Sequence, residues 1–397
     1  MDIFQITKKA SIPPKAKLAV FESGFRPFFI LAGIYAVVLL FIWMGVYNGS
    51  WSFSTYYGLT GWHSHELLFG FTMAVVAGFL LTAVEHWTGQ TTATKNQTIL
   101  LVIIWLAGRI FPLTVSIHVM GAITDLLFLP MLGYCISKPI WKTRQKQNYV
   151  YPVLLIGLIV ANVLIHLEKL GITSDSSLKG TYLAFNITIL MIVIFGGRIF
   201  PIFTMGSTGS PVIQRKLINW IGDGSVVALT ITQFLDLNIN LILFIASVAA
   251  ASNCFRMAGW YSHKIWKKPI VWILHVGFAW IVLGFAMIAI NKFFTISPFL
   301  AVHALSAGGI GVSSLGMMVR VSLGHTGRLL EANRWIQGAF MLINFAAVVR
   351  VFFPIIWPES YTILIVFSSI LWALAFLFFT ITMMPILLKS RPDGKSG

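Results

Sequence analysis

His63-Ser64-His65-Glu66 places two imidazoles and a carboxylate within four residues, the densest group of metal-ligand side chains in the chain. A neutral imidazole binds iron, copper or zinc, and a neighbouring carboxylate can fix its tautomer and orientation from outside the coordination sphere. On a helix, residues turn by about 100° each, so His63 and His65 would point about 200° apart. One metal cannot readily take both. Either His63 belongs to a preceding loop, or the two serve different sites flanking one helix. The plain alternative is a pair of interfacial histidines wetted by an outer loop.

The chain carries nine histidines in all. Asn162 and His166 are four apart, hence on one helical face, and His118 and Asp125, seven apart, also share a stripe. Asp125 reads as a proton-relay member or a partner for His118, set against a plain aspartate bonded to neighbouring helices. His275 stands alone in an apolar run, where helix-to-helix hydrogen bonding is the bland account. His303 opens a segment with the small pairs Ala304/Gly308 and Ala307/Gly311, which let another helix approach closely. A flat macrocycle ligated by His303 would want the same clearance. Gly108-Arg109-Ile110-Phe111-Pro112 recurs as Gly197-Arg198-Ile199-Phe200-Pro201, with a looser echo in Arg350-Val351-Phe352-Phe353-Pro354. Each closes a span, where Arg can snorkel and Pro cannot extend the helix. The functional reading is that Arg109, Arg198 and Arg350 hold an anionic group such as a haem propionate.

These residues must be positioned inside a membrane. The chain is 57% hydrophobic and only 10% charged, with a mean hydropathy of +0.85, so it cannot cover itself with a wettable surface. A span needs roughly 20 apolar residues. Twelve are expected near Phe28–Tyr47, His65–His86, Gln97–Phe111, Val115–Ile136, Tyr149–Glu168 and Thr181–Phe200, then Lys216–Leu235, Leu237–Cys254, Pro269–Ile290, Pro298–Arg320, Trp335–Val351 and Tyr361–Leu388. The expected fold is therefore all-α, a polytopic bundle over residues 28–388. Residues 1–27 form a cytoplasmic N-terminal segment and residues 389–397 a cytoplasmic tail, with no separate soluble domain.

With the N-terminus inside, only Arg109, Lys169, Lys179, Lys292 and Arg350 of the 28 Lys and Arg residues fall outside. That asymmetry places both termini in the cytoplasm. It also accounts for the net charge of +16 without nucleic acid, because the cations sit in short loops. No cleavable signal peptide is evident, since residues 1–18 are polar and basic. Cys135 and Cys254 are too few for a disulfide framework or a cysteine-bound cluster. This topology gathers His63, His65, His118, His166 and His303 near the outer ends of their elements, and leaves His86, His263, His275 and His325 toward the cytoplasmic side. Imidazoles from facing helices at one depth could build a metal site. No phosphate loop, CxxC or CxxCH is present, so a haem would be held without thioether links.

The chain resembles the NnrS family of bacterial membrane proteins. The likeness rests on Phe25-Arg26-Pro27-Phe28-Phe29, Trp62-His63-Ser64-His65-Glu66-Leu67-Leu68-Phe69-Gly70-Phe71 and Ala77-Gly78-Phe79-Leu80-Leu81-Thr82-Ala83-Val84. It continues in Gly196-Gly197-Arg198-Ile199, His303-Ala304-Leu305 and Leu323-Gly324-His325-Thr326-Gly327-Arg328. These run in order from residue 21 to about 330. Glu85-His86-Trp87 departs from the family's Pro-Asn-Trp, and His118 lies in no shared motif. The resemblance implies a twelve-span bacterial inner-membrane protein with non-covalent b-type haem and copper, tied to denitrification and nitrosative stress. It makes His63, His65, His166, His275, His303 and His325 the candidate haem or copper positions. Glu66, Asn162, Asp125 and His118 are candidates for supporting them or relaying protons.

Three functions are weighed. The first is a haem and copper protein that binds or transforms nitric oxide, an apolar gas that partitions into lipid. Reduction would need electrons, with quinol a candidate donor, and protons, with Asp125, Glu66 and Glu85 as candidate carriers. The second is architectural kinship with haem-copper oxidases and nitric oxide reductases, opposed by the lack of an adjacent His-His pair and of a His-Pro-Glu-Val segment. The third is a secondary transporter or metal exporter without a redox cofactor, for which a twelve-span fold is a weak warrant.

Overall fold

The structure, a computed structural model, describes residues 18–52, 54–113, 118–294 and 297–393. Residues 1–17 of the expected N-terminal segment, residues 394–397 of the tail, and the start of the expected span at Val115 lie outside that set.

Among the described residues, eleven helices are long and apolar enough to cross a membrane. They are α1 (Phe25–Tyr47), α2 (Leu59–Thr88), α3 (Lys95–Leu113), α4 (His118–Lys142), α5 (Lys146–Lys169) and α6 (Ser176–Thr208). After α7 (Lys216–Phe234) come α8 (Ile239–Trp260), α9 (Pro269–Ile290), α10 (Pro298–His325), α11 (Arg334–Ile356) and α12 (Pro358–Leu388). The helix α7 is the least apolar of the twelve because it carries Lys216, Asn219, Asp223, Thr230 and Thr232. Its aspartate is answered within the bundle by Arg256 of α8 at 2.8 Å.

Several helices outrun the hydrophobic windows. A capping box between Thr94 and Gln97 starts α3 at Lys95. α6 continues through Pro201, which nearby polar groups make tolerable inside a membrane helix, and stops only at left-handed Gly209. α2 begins at Leu59, so His63 is helical and does not belong to the loop. The closely spaced break near Leu235–Asn240 is present, between Phe234 and Ile239.

α2 and α10 form the centre. Of their most apolar windows 78% and 72% is buried, against 33% for α3 and α8, which present Ile103 and Phe244 outward. Each central helix contains a seven-residue π-helical stretch directly after a histidine. Glu66–Thr72 follows His65, and Ala304–Ile310 follows His303. Such widened turns frequently mark functional sites, because they redirect a side chain without ending the helix. In both cases the next helix ends near an Arg before a Phe-Pro step, Arg109 in α3 and Arg350 in α11.

Small residues on α10 serve packing. A Cβ on Gly308 would collide with the Trp280 ring of α9, and one on Gly311 would meet Trp372 of α12. At Gly308 and Gly311, past His303 along α10, the clearance is therefore filled by two indoles. The two ends of the described chain meet at one end of the bundle: Leu18 bridges Lys389, and the Arg26 Nη1 donates to the carbonyls of Leu387 and Lys389 at 2.8 and 2.7 Å. This is the proximal end below; the opposite end is distal.

Candidate functional site

Near the distal end, α2, α3, α4 and α5 turn polar side chains toward one another in an otherwise apolar interior. His65 and Glu66 come from α2, where the π-helical stretch begins. Arg109 ends α3, Asp125 lies two turns into α4, and Asn162 and His166 share one face of α5. His65, Glu66, Asn162 and His166 are each about 1% exposed and Asp125 3%, so protein groups replace water as their partners.

Asp125 is the hub. Its Oδ2 accepts from Asn162 Nδ2 at 2.7 Å and lies 3.1 Å from His166 Nε2 and 3.2 Å from His65 Nε2. Its other oxygen pairs with Arg109. Arg109 Nη1 also donates to Glu66 Oε2 at 3.0 Å, and the Tyr35 hydroxyl donates to the same carboxylate. Glu66 Oε1 faces His65 Nδ1 at 3.2 Å. A Cβ on Gly70 would strike Tyr35 and Glu66, so glycine at this point in the π-helical stretch admits the ion pair.

The two imidazoles are held in defined orientations. Tyr57 stacks on the His65 ring at 4.1 Å between centroids, and Phe69 lies 4.9 Å away on a nearly parallel plane. His166 Nδ1 accepts from the Tyr56 hydroxyl at 3.4 Å, which leaves its Nε2–H to donate to Asp125. Burial pushes the Tyr56 hydroxyl up to about 12, so it remains a donor across the neutral range.

Two carboxylates and one guanidinium leave this interior one negative charge in excess when both imidazoles are neutral. An unbalanced charge away from water is costly. A cation relieves it, either as a proton on His65, whose two ring nitrogens both face oxygens, or as a metal ion. One ligand atom from each of His65, Asp125 and His166 lies within 4.8 Å of the others. Two imidazoles and a carboxylate suit a first-row transition metal. They do not suit a haem: a macrocycle at His65 Nε2 would have to occupy the place of Asp125 and Asn162, and the ring's faces are already covered.

His63 faces elsewhere. Its ring lies flat on Trp43 of α1 at 3.8 Å, and its buried Nδ1 has no hydrogen-bond partner. His303 and Arg350 are within electrostatic reach. His303 Nδ1 donates to the Phe299 carbonyl at 2.6 Å, and its Nε2 accepts from Arg350 Nη2 at 3.0 Å. Arg350 also reaches the Tyr361 hydroxyl at 3.4 Å. An imidazole with an idle nitrogen beside a guanidinium fits an imidazole-ligated group that bears carboxylates.

The remaining candidates lie apart from both groups. His118 meets the Tyr56 ring at 5.0 Å instead of pairing with Asp125. His275 hydrogen-bonds Thr204 of α6 at 2.8 Å, the helix-to-helix contact that is its plain reading. His325 sits at the proximal end, 6.2 Å from the His86 ring, and Glu85 there accepts from Thr92. Arg198 donates to Asn148 at 2.6 Å and lies over Trp87. Thus all three repeated arginines turn to protein partners.

Sequence reasoning missed Tyr35, Tyr56, Tyr57 and Trp43. Tyr35 is the one hydroxyl in the middle of α1, which was a signal; the Tyr56-Tyr57 pair sits in a loop whose fold-back over the site carries no periodic mark.

A search of curated proteins found no match. A family model described as NnrS protein matches residues 19–391, nearly the whole chain. This is a family of membrane proteins related to nitric oxide stress, and its span takes in every helix that builds the two histidine groups. On that match the chain belongs to the NnrS family.

Proposed function

We propose that the protein binds nitric oxide at metal centres inside the bacterial inner membrane and so protects against nitrosative stress. The carrying observation is the buried convergence of His65, Asp125 and His166 with a negative charge in excess. We assign copper to these three residues and a non-covalent b-type haem to the neighbourhood of His63, His303 and Arg350. When bound, such metals supply an open coordination position for a small apolar gas. The protein's own part is to hold the imidazoles, exclude water and balance charge. Tyr56 and Asn162 orient His166 and Asp125, and Arg109 offsets one carboxylate. Arg350 would turn from His303 to an incoming carboxylate.

Purified protein tests this. Copper and iron should each be near stoichiometric, with a Soret band that shifts on reduction and again on adding nitric oxide. His65→Ala, Asp125→Asn and His166→Ala should lose copper and keep the Soret band; His63→Ala and His303→Ala should do the reverse. Absence of both metals would overturn the reading.

A second reading has one observation in its favour. The π-helical stretches after His65 and His303 make two central spans locally irregular, and transporters commonly place local irregularity in the spans that line their substrate site. Metal-ion flux in proteoliposomes, with no Soret band, would favour an exporter.

A further inference from the structure

At the proximal end, away from both histidine groups, lies a half-open pocket of about 220 Å³ between α6, α9 and α10. Lys267 and Lys268, Arg320 of α10 and Ser207 of α6 line it, together with the first residues of α9 and the turn Leu330–Ala332. Three cations surround one concavity. Glu331, exposed on that turn, is the one acid among the lining residues, and the pocket stays net positive.

Two features show that this charge is not used up internally. The Arg320 guanidinium lies over the Phe203 ring at 3.6 Å, and its Nη1 is buried with no hydrogen-bond partner. A buried donor left unmade is expensive, and an acceptor in the pocket would satisfy it. In addition, α9 starts with Pro269 and has no side-chain cap, and although the Val271 and Trp272 amides donate to the Lys268 carbonyl, the positive end of the helix dipole faces the same space.

The depth is that of a lipid headgroup. Trp266, in the short segment before Lys267, is 57% exposed and donates to the exposed Tyr261 hydroxyl at 3.1 Å. Amphipathic aromatics of this kind mark the membrane–water boundary. Leu330 on the pocket wall and Leu329 beside it are also exposed, 44% and 78%, and offer apolar surface beside the cations.

We propose that this pocket binds the phosphate headgroup of an anionic phospholipid. Basic pockets between membrane helices take such headgroups, and a phosphate would lie among Arg320, Lys267 and Lys268 at the positive end of α9 while its acyl chains follow Leu329 and Leu330. The inference does not rest on the metal assignments above.

Native mass spectrometry of the purified, metal-loaded protein with phosphatidylglycerol or phosphatidylcholine added tests it. Phosphatidylglycerol should bind at least about tenfold more tightly, given about fivefold per basic residue at a membrane surface. Arg320→Gln should lower its affinity about fivefold and leave phosphatidylcholine unchanged, and Arg320→Lys should restore part of it. If Arg320→Gln fails to fold, the Lys267→Gln/Lys268→Gln variant, altered only at exposed positions, carries the same expectation. Equal binding of the two lipids, or variants that keep the preference, would overturn the proposal. Displacement of phosphatidylglycerol by millimolar inorganic phosphate would also overturn it, in favour of a soluble phosphate.

Discussion

His63 and His65, two residues apart on α2, belong to different polar groups on opposite sides of that helix. His65 Nε2 lies 3.2 Å from Asp125, while His63 lies on Trp43 with an idle Nδ1. Because the α2 backbone is helical through both, the angle between them follows from helix geometry alone. Each group can then be altered without touching the other. In a double-mutant analysis, the stability effects of His63→Ala and His65→Ala should add to within about 0.5 kcal/mol. A larger coupling would show that the groups communicate.

Arg109 joins the two buried carboxylates. Removing it by Arg109→Gln should destabilise the metal-free protein by about 3–5 kcal/mol, because it strands two charges in the interior. Adding Glu66→Gln should recover part of that loss. Reversible unfolding in mixed micelles measures both; a double variant as unstable as the single one would refute the charge account.

On the proposed copper assignment, Tyr56 would act on the metal through His166. Tyr56→Phe should weaken copper affinity by about 10–100-fold, the usual effect of losing a group that orients a ligating imidazole. The Soret band should stay unchanged. Competition against a calibrated chelator reads the affinity, and an unchanged constant would remove Tyr56 from the site.

Loading the His65–Asp125–His166 group with a metal ion should stabilise the fold by mass action, about 2.7 kcal/mol at a free metal concentration a hundred times the dissociation constant. Chelation should reverse it, and Asp125→Asn should abolish it. A melting temperature indifferent to copper would mean that the cation relieving the excess charge is a proton.

The asymmetry of Lys and Arg predicts that the proximal end, where Leu18 bridges Lys389, faces the cytoplasm. A fluorescent reporter fused after residue 391 should be bright there, and a periplasm-dependent phosphatase in the turn after Gly171 should be active. The opposite pattern would invert the topology.

The helices were legible because twenty-residue apolar windows separated by basic turns admit few other readings. The positions of His65, Asn162 and His166 on facing helices followed from spacing within each helix. Which helices face each other was not legible. The pairing of Asp125 with Arg109, Asn162 and both histidines depends on how α2, α3, α4 and α5 are arranged around one another, and spacing along one segment carries no such information. For the same reason the stripe that His118 shares with Asp125 does not reveal that His118 meets the Tyr56 ring. The π-helical stretches escaped notice too, since a widened turn shifts a hydrophobic pattern by a single position.

The bridge between Leu18 and Lys389, with Arg26 donating to the carbonyls of Leu387 and Lys389, has a consequence for biosynthesis. Arg26 takes these acceptors, and α1 takes α12 as its neighbour, from a stretch made more than 360 residues later. Closure of the bundle at this end must therefore wait until α12 has been made. Until then the Leu387 and Lys389 carbonyls do not exist, and the inserted α1 has to hold the Arg26 charge near the aqueous boundary without them.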